Sequence, residues 1–191
     1  MSSGSASAPD RGPRLDPLAR LEWPLLAATG RGRSAADPRL TAAVVTLSRA
    51  GEYGALWFAI GSAGALADRD DRGAWLRAII TTGGAFAANV AIKHVIRRPR
   101  PPSPGLLAPP TALSFPSSHA ATSFAAARSF RRILRARGRR RTAQAMLPLA
   151  ALMAATRIYA GVHYPSDIAA GALLGAVAAG LGHPSDGRRS G

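Results

Sequence analysis

A segment without any charged side chain, AIITTGGAFAANVAI from Ala78 to Ile92, places the strongest constraint on how this chain folds. When it is extended to Trp75 and Val95, it reaches the ~20 residues that an α-helix needs to cross a bilayer. The charged residues of the extended segment lie near its two ends. The pattern therefore predicts a membrane helix.

Four further stretches have the composition of helices. Three carry no charge: YGALWFAIGSAGALA at 53–67, AQAMLPLAALMAA at 143–155 and IAAGALLGAVAAGL at 168–181. The fourth, at 119–134, is helical by composition but contains arginines. None shows the alternation of a strand, so we predict an all-α fold: an integral membrane helical bundle of about five to six short helices, with the active site at one membrane face.

A soluble all-α domain is the alternative, because the mean hydropathy is only +0.04. Charged tails and loops lower this average. We expect residues 1–22 to form a disordered polar tail, since they lack the apolar core of a signal peptide, and 184–191 to form a second polar tail. One helical domain, 23–183, lies between them. Its first part, 23–50, alternates short apolar runs with Arg, Asp and Pro, which is typical of an amphipathic or interfacial segment.

Basic residues outnumber acidic ones by 25 to 10, which gives a formal charge of +15. This charge predicts a polyanionic partner, which can be a nucleic acid, an anionic membrane surface or a phosphorylated substrate. The chain has no cysteine, so disulfides, cysteine-ligated zinc and a thiol nucleophile are excluded. Any chemistry must use His, Ser, Asp, Glu, Lys or Arg side chains.

The first motif that can carry chemistry contains the only lysine of the chain, Lys93, followed by Arg100. A single lysine among 25 basic residues indicates a position where a compact ammonium is needed. An ammonium at a helix end and a guanidinium in a proline-stiffened loop can bind one anion together. The neighbours His94, Arg97 and Arg98 lack such an argument, and we expect them to be solvated or to face lipid headgroups.

The second motif is SFPSSHAA at 114–121, which follows a proline-rich loop and opens an alanine-rich helix. Ser117, Ser118 and His119 would lie at the N-terminus of that helix, where free backbone N–H groups and the helix dipole bind anions. His119 would then stand beside the anion as a proton donor for a leaving group. An ordinary serine N-cap with a surface histidine is the alternative.

The third motif is TRIYAGVHYPSD at 156–167. His163 and Asp167 can meet through one imidazole nitrogen, which fixes the tautomer and leaves the other nitrogen free to attack. Arg157 would approach from the preceding helix as another guanidinium for phosphate. Alternatively, Asp167 belongs to the N-terminal cap of the next helix and His163 is an ordinary loop residue.

Taken in order, the three motifs resemble the signature of the type 2 phosphatidic acid phosphatase superfamily, or lipid phosphate phosphatases, which shares its site with vanadium haloperoxidases. That signature is Lys-x6-Arg-Pro, then Pro-Ser-Gly-His, then Ser-Arg-x5-His-x3-Asp. The resemblance covers residues 93–167. Ser118 replaces the usual glycine, which keeps the backbone donor but adds a side chain near the phosphate. Thr156 replaces the usual serine and keeps the hydroxyl.

The resemblance implies a role for each site residue. His163 is the nucleophile that forms a phosphohistidine, Asp167 orients it, and His119 protonates the departing alkoxide and then activates water. The groups that hold the phosphoryl oxygens are Lys93, Arg100, Ser117, the Ser118 backbone and Arg157. Three cations can stabilise the charge of one phosphoryl group without a metal ion, and the motifs contain no carboxylate cluster for magnesium, so we expect no metal and no cofactor.

The resemblance also implies a lipid phosphate substrate. Phosphatidate, phosphatidylglycerol phosphate, polyprenyl phosphate or diphosphate, and a polyprenyl-linked sugar phosphate all qualify. Two other classes stay open at this point. One is a vanadate-dependent haloperoxidase with the same pocket, which the short chain and the apolar helices disfavour. The other is a non-catalytic membrane or nucleic-acid-binding protein whose basic turn contacts anions.

The location of the protein follows from the same patterns. We expect a multi-pass protein of the cell membrane that binds its lipid substrate and no nucleic acid. The arginines of the turn at 131–141 predict, by the positive-inside rule, that the site faces away from the cytoplasm. Arg39 and Arg49 favour the opposite orientation.

Overall fold

The computed structural model describes residues 16–102 and 105–182, which form seven α-helices and no strand. The helices are α1 (Pro17–Ser34), α2 (Pro38–Ala50), α3 (Ala55–Ala67), α4 (Arg72–Ile96), α5 (Ser118–Ala136), α6 (Arg140–Tyr159) and α7 (Pro165–Leu181). A short 3-10 helix, Glu52–Gly54, joins α2 to α3. The all-α prediction is confirmed, with seven helices rather than five to six.

The larger number of helices arises in the N-terminal part, where two aspartates start helices. Asp16 accepts a hydrogen bond from the backbone N–H of Ala19 at 2.7 Å and caps α1, and Asp37 caps α2 in a similar way. Helix α1 therefore begins within the tail predicted at 1–22. The first 15 residues of that tail, and the tail predicted at 184–191, lie outside the described residues.

Helix α5 packs against α4, α6 and α7 and occupies the centre of the bundle. Its fully buried alanines are Ala120, Ala121, Ala125, Ala126 and Ala127. Gly171 and Gly175 of α7 lie so close to the α5 backbone that a Cβ atom at either position would overlap it. This Gly-x-x-x-Gly pair therefore lets the two helices approach closely, as small residues do in membrane helix pairs.

Helix α4 is the one helix among the described residues that is both long and apolar enough to cross a membrane. Only 22% of its apolar window is buried in the protein, whereas the core helix of a soluble protein would be mostly buried. Large apolar side chains are exposed on other helices as well: Leu66, Leu152, Leu173, Val177 and Leu181. The membrane helix predicted around 75–95 thus corresponds to α4.

The order of the helices brings the three motifs to one end of the bundle. There the loop at 97–117 joins α4 to α5, and the turn at 160–164 joins α6 to α7. The backbone N–H of Ser117 donates to the carbonyl of Asp167 at 2.9 Å and ties the two connections together. The basic turn between α5 and α6 lies at the opposite end, about 28 Å away, since α5 has 19 residues and a helix rises 1.5 Å per residue.

Candidate active site

The three motifs line one cavity of about 270 Å³. Six of the eight residues predicted for the site belong to its lining: Lys93, Arg100, Ser118, His119, Arg157 and His163. The other two, Ser117 and Asp167, are fully buried and do not line the cavity. The rest of the lining consists of Glu52, Tyr53, Phe86, Val90, His94, Pro110 and Thr111. A larger cavity, of about 510 Å³, lies elsewhere on α5, α6 and α7 and contains none of the predicted site residues.

His163 is held in the tautomer that a nucleophile needs. Its Nδ1 lies 3.3 Å from Oδ2 of Asp167, and its Nε2 lies 3.1 Å from Nη1 of Arg100. Because a guanidinium can only donate, Nε2 is the acceptor, and Nδ1 carries the proton that is donated to the carboxylate. The lone pair of His163 is therefore on Nε2, beside a cation.

The protonation state of His163 fits the same role. Burial lowers the pKa of His163 to about 3, because the protonated ring loses its hydration. The hydrogen bond to Asp167 opposes this shift, while the nearby positive charge of Arg100 adds to it. The ring is therefore neutral at neutral pH, and its lone pair is available.

Arg157 and His119 are both held by Ser48 of α2. Nη1 of Arg157 donates to Oγ of Ser48 at 2.6 Å, and Nε2 of His119 lies 2.9 Å from the carbonyl oxygen of Ser48. Because a carbonyl only accepts, Nε2 of His119 carries a proton. Nδ1 is therefore the nitrogen that can gain a proton and pass it on. Nε of Arg157 is buried without a hydrogen-bond partner among the described residues. An anion bound in the cavity is a candidate partner for this donor.

Lys93 points its ammonium at the loop that precedes α5. Nζ donates to the carbonyl oxygens of Leu113, Ser114 and Pro116 at 3.3, 3.1 and 3.0 Å. A point-like ammonium has three rotatable donors and suits three separate carbonyls, which a planar guanidinium does not. Lys93 therefore organises this loop, and contact with a phosphoryl oxygen requires that one of these bonds be exchanged.

The N-terminus of α5 is fixed to α4 by a residue outside the motifs. Ser117 caps α5, with Oγ 3.4 Å from a backbone nitrogen of the first turn. Ser118 donates its hydroxyl to Oδ1 of Asn89 at 2.5 Å, and Nδ2 of Asn89 donates to the carbonyl of Pro116 at 3.1 Å. Asn89 is fully buried. Its sequence signal is an amide in an apolar helix, four residues before Lys93 and so on the same helix face.

Comparison with known families decides how these motifs are classified. The sequence model of the PAP2 superfamily matches residues 74–189, which is more than half of the chain and includes all three motifs. The chain belongs to the PAP2 superfamily. The family expected from the motifs, the type 2 phosphatidic acid phosphatases, is thereby confirmed, and with it the class of enzyme, a phosphatase.

Curated relatives of this PAP2 protein carry a more specific name. The decaprenylphosphoryl-5-phosphoribose phosphatase of Mycolicibacterium smegmatis is 39% identical over 140 residues, which cover 72% of this chain and 74% of the relative. The enzyme of the same name from Mycobacterium tuberculosis is 38% identical over 145 residues, 73% of this chain and 76% of the relative.

Two solved structures share the fold. A transmembrane PAP2 type phosphatidylglycerolphosphate phosphatase from Bacillus subtilis superposes with a TM-score of 0.72 at 20% identity, over 85% of this chain and 84% of that one. LpxE of Aquifex aeolicus superposes with a TM-score of 0.66 at 24% identity, over 85% and 94%. The helical bundle of a PAP2 membrane protein is thus the fold of this chain.

One basic residue of the PAP2 domain does not behave as its sequence context suggested. Arg98, expected to be solvated or to face headgroups, is buried, and that expectation is wrong. Its Nη1 donates to Oδ1 of Asp167 at 2.8 Å, and its guanidinium lies 4.1 Å from the ring centre of Tyr164. Oδ2 of Asp167 faces Nδ1 of His163 and also accepts a hydrogen bond from the backbone N–H of Tyr164 at 2.9 Å, so Asp167 caps α7 as well. Arg97 next to it is exposed, as expected.

Two further carboxylates compensate the buried charge of Arg98. Nε lies 2.9 Å from Oδ2 of Asp16, and Nη2 lies 3.0 Å from Oε2 of Glu22 on α1. Glu22 also accepts a hydrogen bond from the backbone N–H of Ser166 at 2.6 Å. Asp16, Glu22 and Ser48 precede the PAP2 match at 74–189, and no sequence motif marked them. The N-terminal helices therefore contribute contacts to the site.

Proposed function

We propose that this chain is a membrane phosphatase that removes the terminal phosphate of a sugar phosphate carried on a polyprenyl phosphate, through a phosphohistidine. The observation that carries the proposal is the tautomer of His163, which has its proton on Nδ1, beside Asp167, and its lone pair on Nε2, beside the cation Arg100. The names of the relatives at 38–39% identity support this substrate over the phosphatidates and polyprenyl diphosphates that the sequence left open.

In the first step, Nε2 of His163 attacks the phosphorus atom of the monoester. The N–P bond forms as the P–O bond to the sugar breaks, and the positive charge that develops on the ring is balanced by Asp167. The negative charge of the bound phosphate favours a second proton on His119, at Nδ1. The departing oxygen takes this proton and leaves as a sugar hydroxyl. The phosphoryl group remains on His163.

In the second step, water replaces the histidine. His119, which is now neutral, accepts a proton from the water molecule as its oxygen attacks phosphorus. The N–P bond breaks, its electron pair returns to Nε2 of His163, and inorganic phosphate leaves. The lipid-linked sugar and phosphate are the products, and both histidines regain their starting protonation states.

The charge of the transferred phosphoryl group is balanced by side chains. Arg100 and Arg157 supply guanidinium donors in the cavity lining, and Lys93 supplies an ammonium. Charge stabilisation and positioning of this kind account for most catalysis of phosphoryl transfer, which is why the proposed reaction needs no metal. Ser118 and the first backbone N–H groups of α5 complete the phosphate site, and Ser117 caps the helix that presents them.

We further propose that the bundle crosses the membrane several times, with the site on the extracytoplasmic face. Supporting this orientation, a cluster of arginines occupies the end of the bundle opposite the site: Arg135, Arg137, Arg139, Arg140 and Arg141. Positive charge is retained on the cytoplasmic side of membrane proteins. A substrate that reaches the site laterally through the bilayer is consistent with the exposed apolar surface of α4.

A phosphate-release assay in detergent, with a chelator and without added metal, tests the proposed function. The substrate is ribose 5-phosphate linked to a polyprenyl phosphate. We expect release by the wild-type protein and a loss of more than about 1,000-fold in kcat for His163→Ala, because no other group replaces a covalent nucleophile. Arg97→Ala, an exposed control, should retain activity. Release by His163→Ala at the wild-type rate would contradict the mechanism.

A further inference from the structure

The active-site cavity contains one carboxylate, Glu52, in a lining that is otherwise cationic, neutral polar or apolar. Glu52 is half-buried, and within the described part of the chain its side chain forms no hydrogen bond or ion pair. Its charge interacts with that of Arg157 at longer range. The catalytic steps proposed above do not use this carboxylate. Because a partly desolvated acceptor without a donor costs free energy, a bound ligand that donates a hydrogen bond to it would be favoured.

The segment that carries Glu52 is fixed rather than free to move. Gly51 packs against the ring of His119, where a Cβ atom would come within 2.9 Å of Cδ2. Tyr53 has a φ of 53° and Gly54 a φ of 77°, so the chain turns through the left-handed region twice in succession. A left-handed bulky residue is uncommon and clusters at functional sites. The turn therefore holds Glu52 at a set place beside His119.

Glu52 shares the cavity lining with two chemically different groups of residues. Its charge interacts with that of Arg157, one of the cations proposed to bind phosphate. The next residue, Tyr53, packs edge to face on Phe86 with ring centres 6.4 Å apart and, with Val90, forms the apolar part of the lining. A lipid chain fits the apolar part and a phosphoryl group the cationic part, so Glu52 is next to whatever connects them.

We propose that Glu52 accepts hydrogen bonds from the hydroxyl groups of a sugar that lies between the phosphoryl group and the lipid, and that it makes the enzyme selective for such substrates. This inference rests on the proposed function. A carboxylate is acceptor-only and binds two hydroxyl donors, which a sugar ring presents. A lipid phosphate without a sugar would place methylene groups there and leave the carboxylate desolvated and unpaired, so it would be disfavoured.

The test compares two substrates, because a general effect on catalysis would change both. Ribose 5-phosphate linked to a polyprenyl phosphate carries the hydroxyls, and polyprenyl monophosphate of the same chain length lacks them. We expect Glu52→Leu to lower the ratio of kcat/KM for the ribose substrate to kcat/KM for polyprenyl monophosphate. The expected decrease is about 10- to 100-fold, the range for a lost hydrogen bond to a charged group. The near-isosteric Glu52→Gln, which keeps one acceptor oxygen, should lower the ratio less. Asp70→Asn, at an exposed acid beyond the far end of α4, is the control.

The outcomes separate this inference from the proposed function. A ratio that stays at the wild-type value would overturn the selectivity role. If both rates fell together, Glu52 would act only through the charge of Arg157, and if neither rate changed, Glu52 would have no role in turnover. If His163→Ala released phosphate as fast as the wild type, the proposed function would fail first. Thermal unfolding of each variant shows whether Glu52→Leu folds, and Glu52→Gln decides the question if it does not.

Discussion

Nη1 of Arg98 lies 2.8 Å from Oδ1 of Asp167, and both side chains are buried. This contact fixes the carboxylate so that its other oxygen faces Nδ1 of His163. A buried guanidinium is costly to desolvate, and the cost is offset here by Asp16 and Glu22, which come from the N-terminal end of the chain. His163, the proposed nucleophile, is therefore positioned by residues from opposite ends of the sequence.

The neighbouring residues Arg97 and Arg98 should differ sharply in their contributions to stability and activity. Arg98→Ala leaves the buried carboxylate of Asp167 without its cation. We expect it to destabilise the fold by about 3 kcal/mol and to lower kcat strongly. Arg97→Ala, at an exposed position, should change stability by less than about 0.5 kcal/mol. Phosphate release and thermal unfolding in detergent measure both effects. Similar losses for the two variants would show that Arg98 has no special place in the site.

Lys93→Ala should lose turnover and also stability. The substitution removes the donor for three loop carbonyls just before α5, so the loop and the cavity lining that it supports are expected to loosen. Lys93→Arg should not restore activity, because a planar guanidinium cannot serve three diverging acceptors. The measurements are kcat and the unfolding temperature. An inactive Lys93→Ala with a wild-type unfolding temperature would limit the role of the ammonium to the substrate.

The titration of His163 should be displaced to acid pH. Burial lowers the pKa of His163 to about 3 in the folded chain, whereas an unfolded histidine has a pKa of about 6.5. The proposed nucleophile therefore stays neutral between pH 5 and 7, and nitrogen NMR of labelled histidine should show no protonation of His163 there. A titration midpoint near 6.5 would contradict this.

The same shift predicts how stability depends on pH. Below about pH 6.5 the unfolded chain binds a proton that the folded state does not, so stability falls as the pH falls, by about 2 kcal/mol at pH 5 from this group. His163→Asn should reduce that dependence. The check is the free energy of unfolding at pH 7 and pH 5 for both proteins, and identical slopes would refute the contribution.

The same substitution at two glycines of α7, Gly175 and Gly180, tests how closely α7 packs against α5. A side chain at Gly175 would overlap the backbone of α5, whereas at Gly180 nothing lies within 4 Å of an added Cβ. We expect Gly175→Val to destabilise the protein by about 2 kcal/mol or more and Gly180→Val to have little effect. Unfolding temperatures of the two variants decide the matter, and a tolerated Gly175→Val would argue against close contact between α5 and α7.

The proposed orientation predicts the location of Gly138 in the basic turn between α5 and α6. A reporter fused at this position should be active in the cytoplasm, because the surrounding arginines resist translocation. Enzymatic and fluorescent reporters that work on opposite sides of the membrane provide complementary measurements. An extracytoplasmic location of Gly138 would place the active site on the cytoplasmic face.

The sequence by itself determined the features that depend on neighbours along the chain. The uncharged segments predicted the helices, since a helix is specified by local composition and length. The spacing of the motifs predicted His163, Asp167, His119, Lys93 and Arg100 as site residues, because residues a few positions apart on a helix end or a turn stay close in any fold that keeps those elements. The family assignment followed from the same motifs.

Only the tertiary structure decided which other side chains complete the site. Ser48 meets Arg157 across 109 sequence positions, and Glu22 meets Ser166 across 144. Spacing along the chain carries no information about such contacts, because they arise from how α1 and α2 pack on the bundle. The role of Arg98 was hidden for the same reason: a guanidinium in a basic loop is buried only if distant carboxylates fold against it, and the sequence places Asp16 and Glu22 far from the loop that they stabilise.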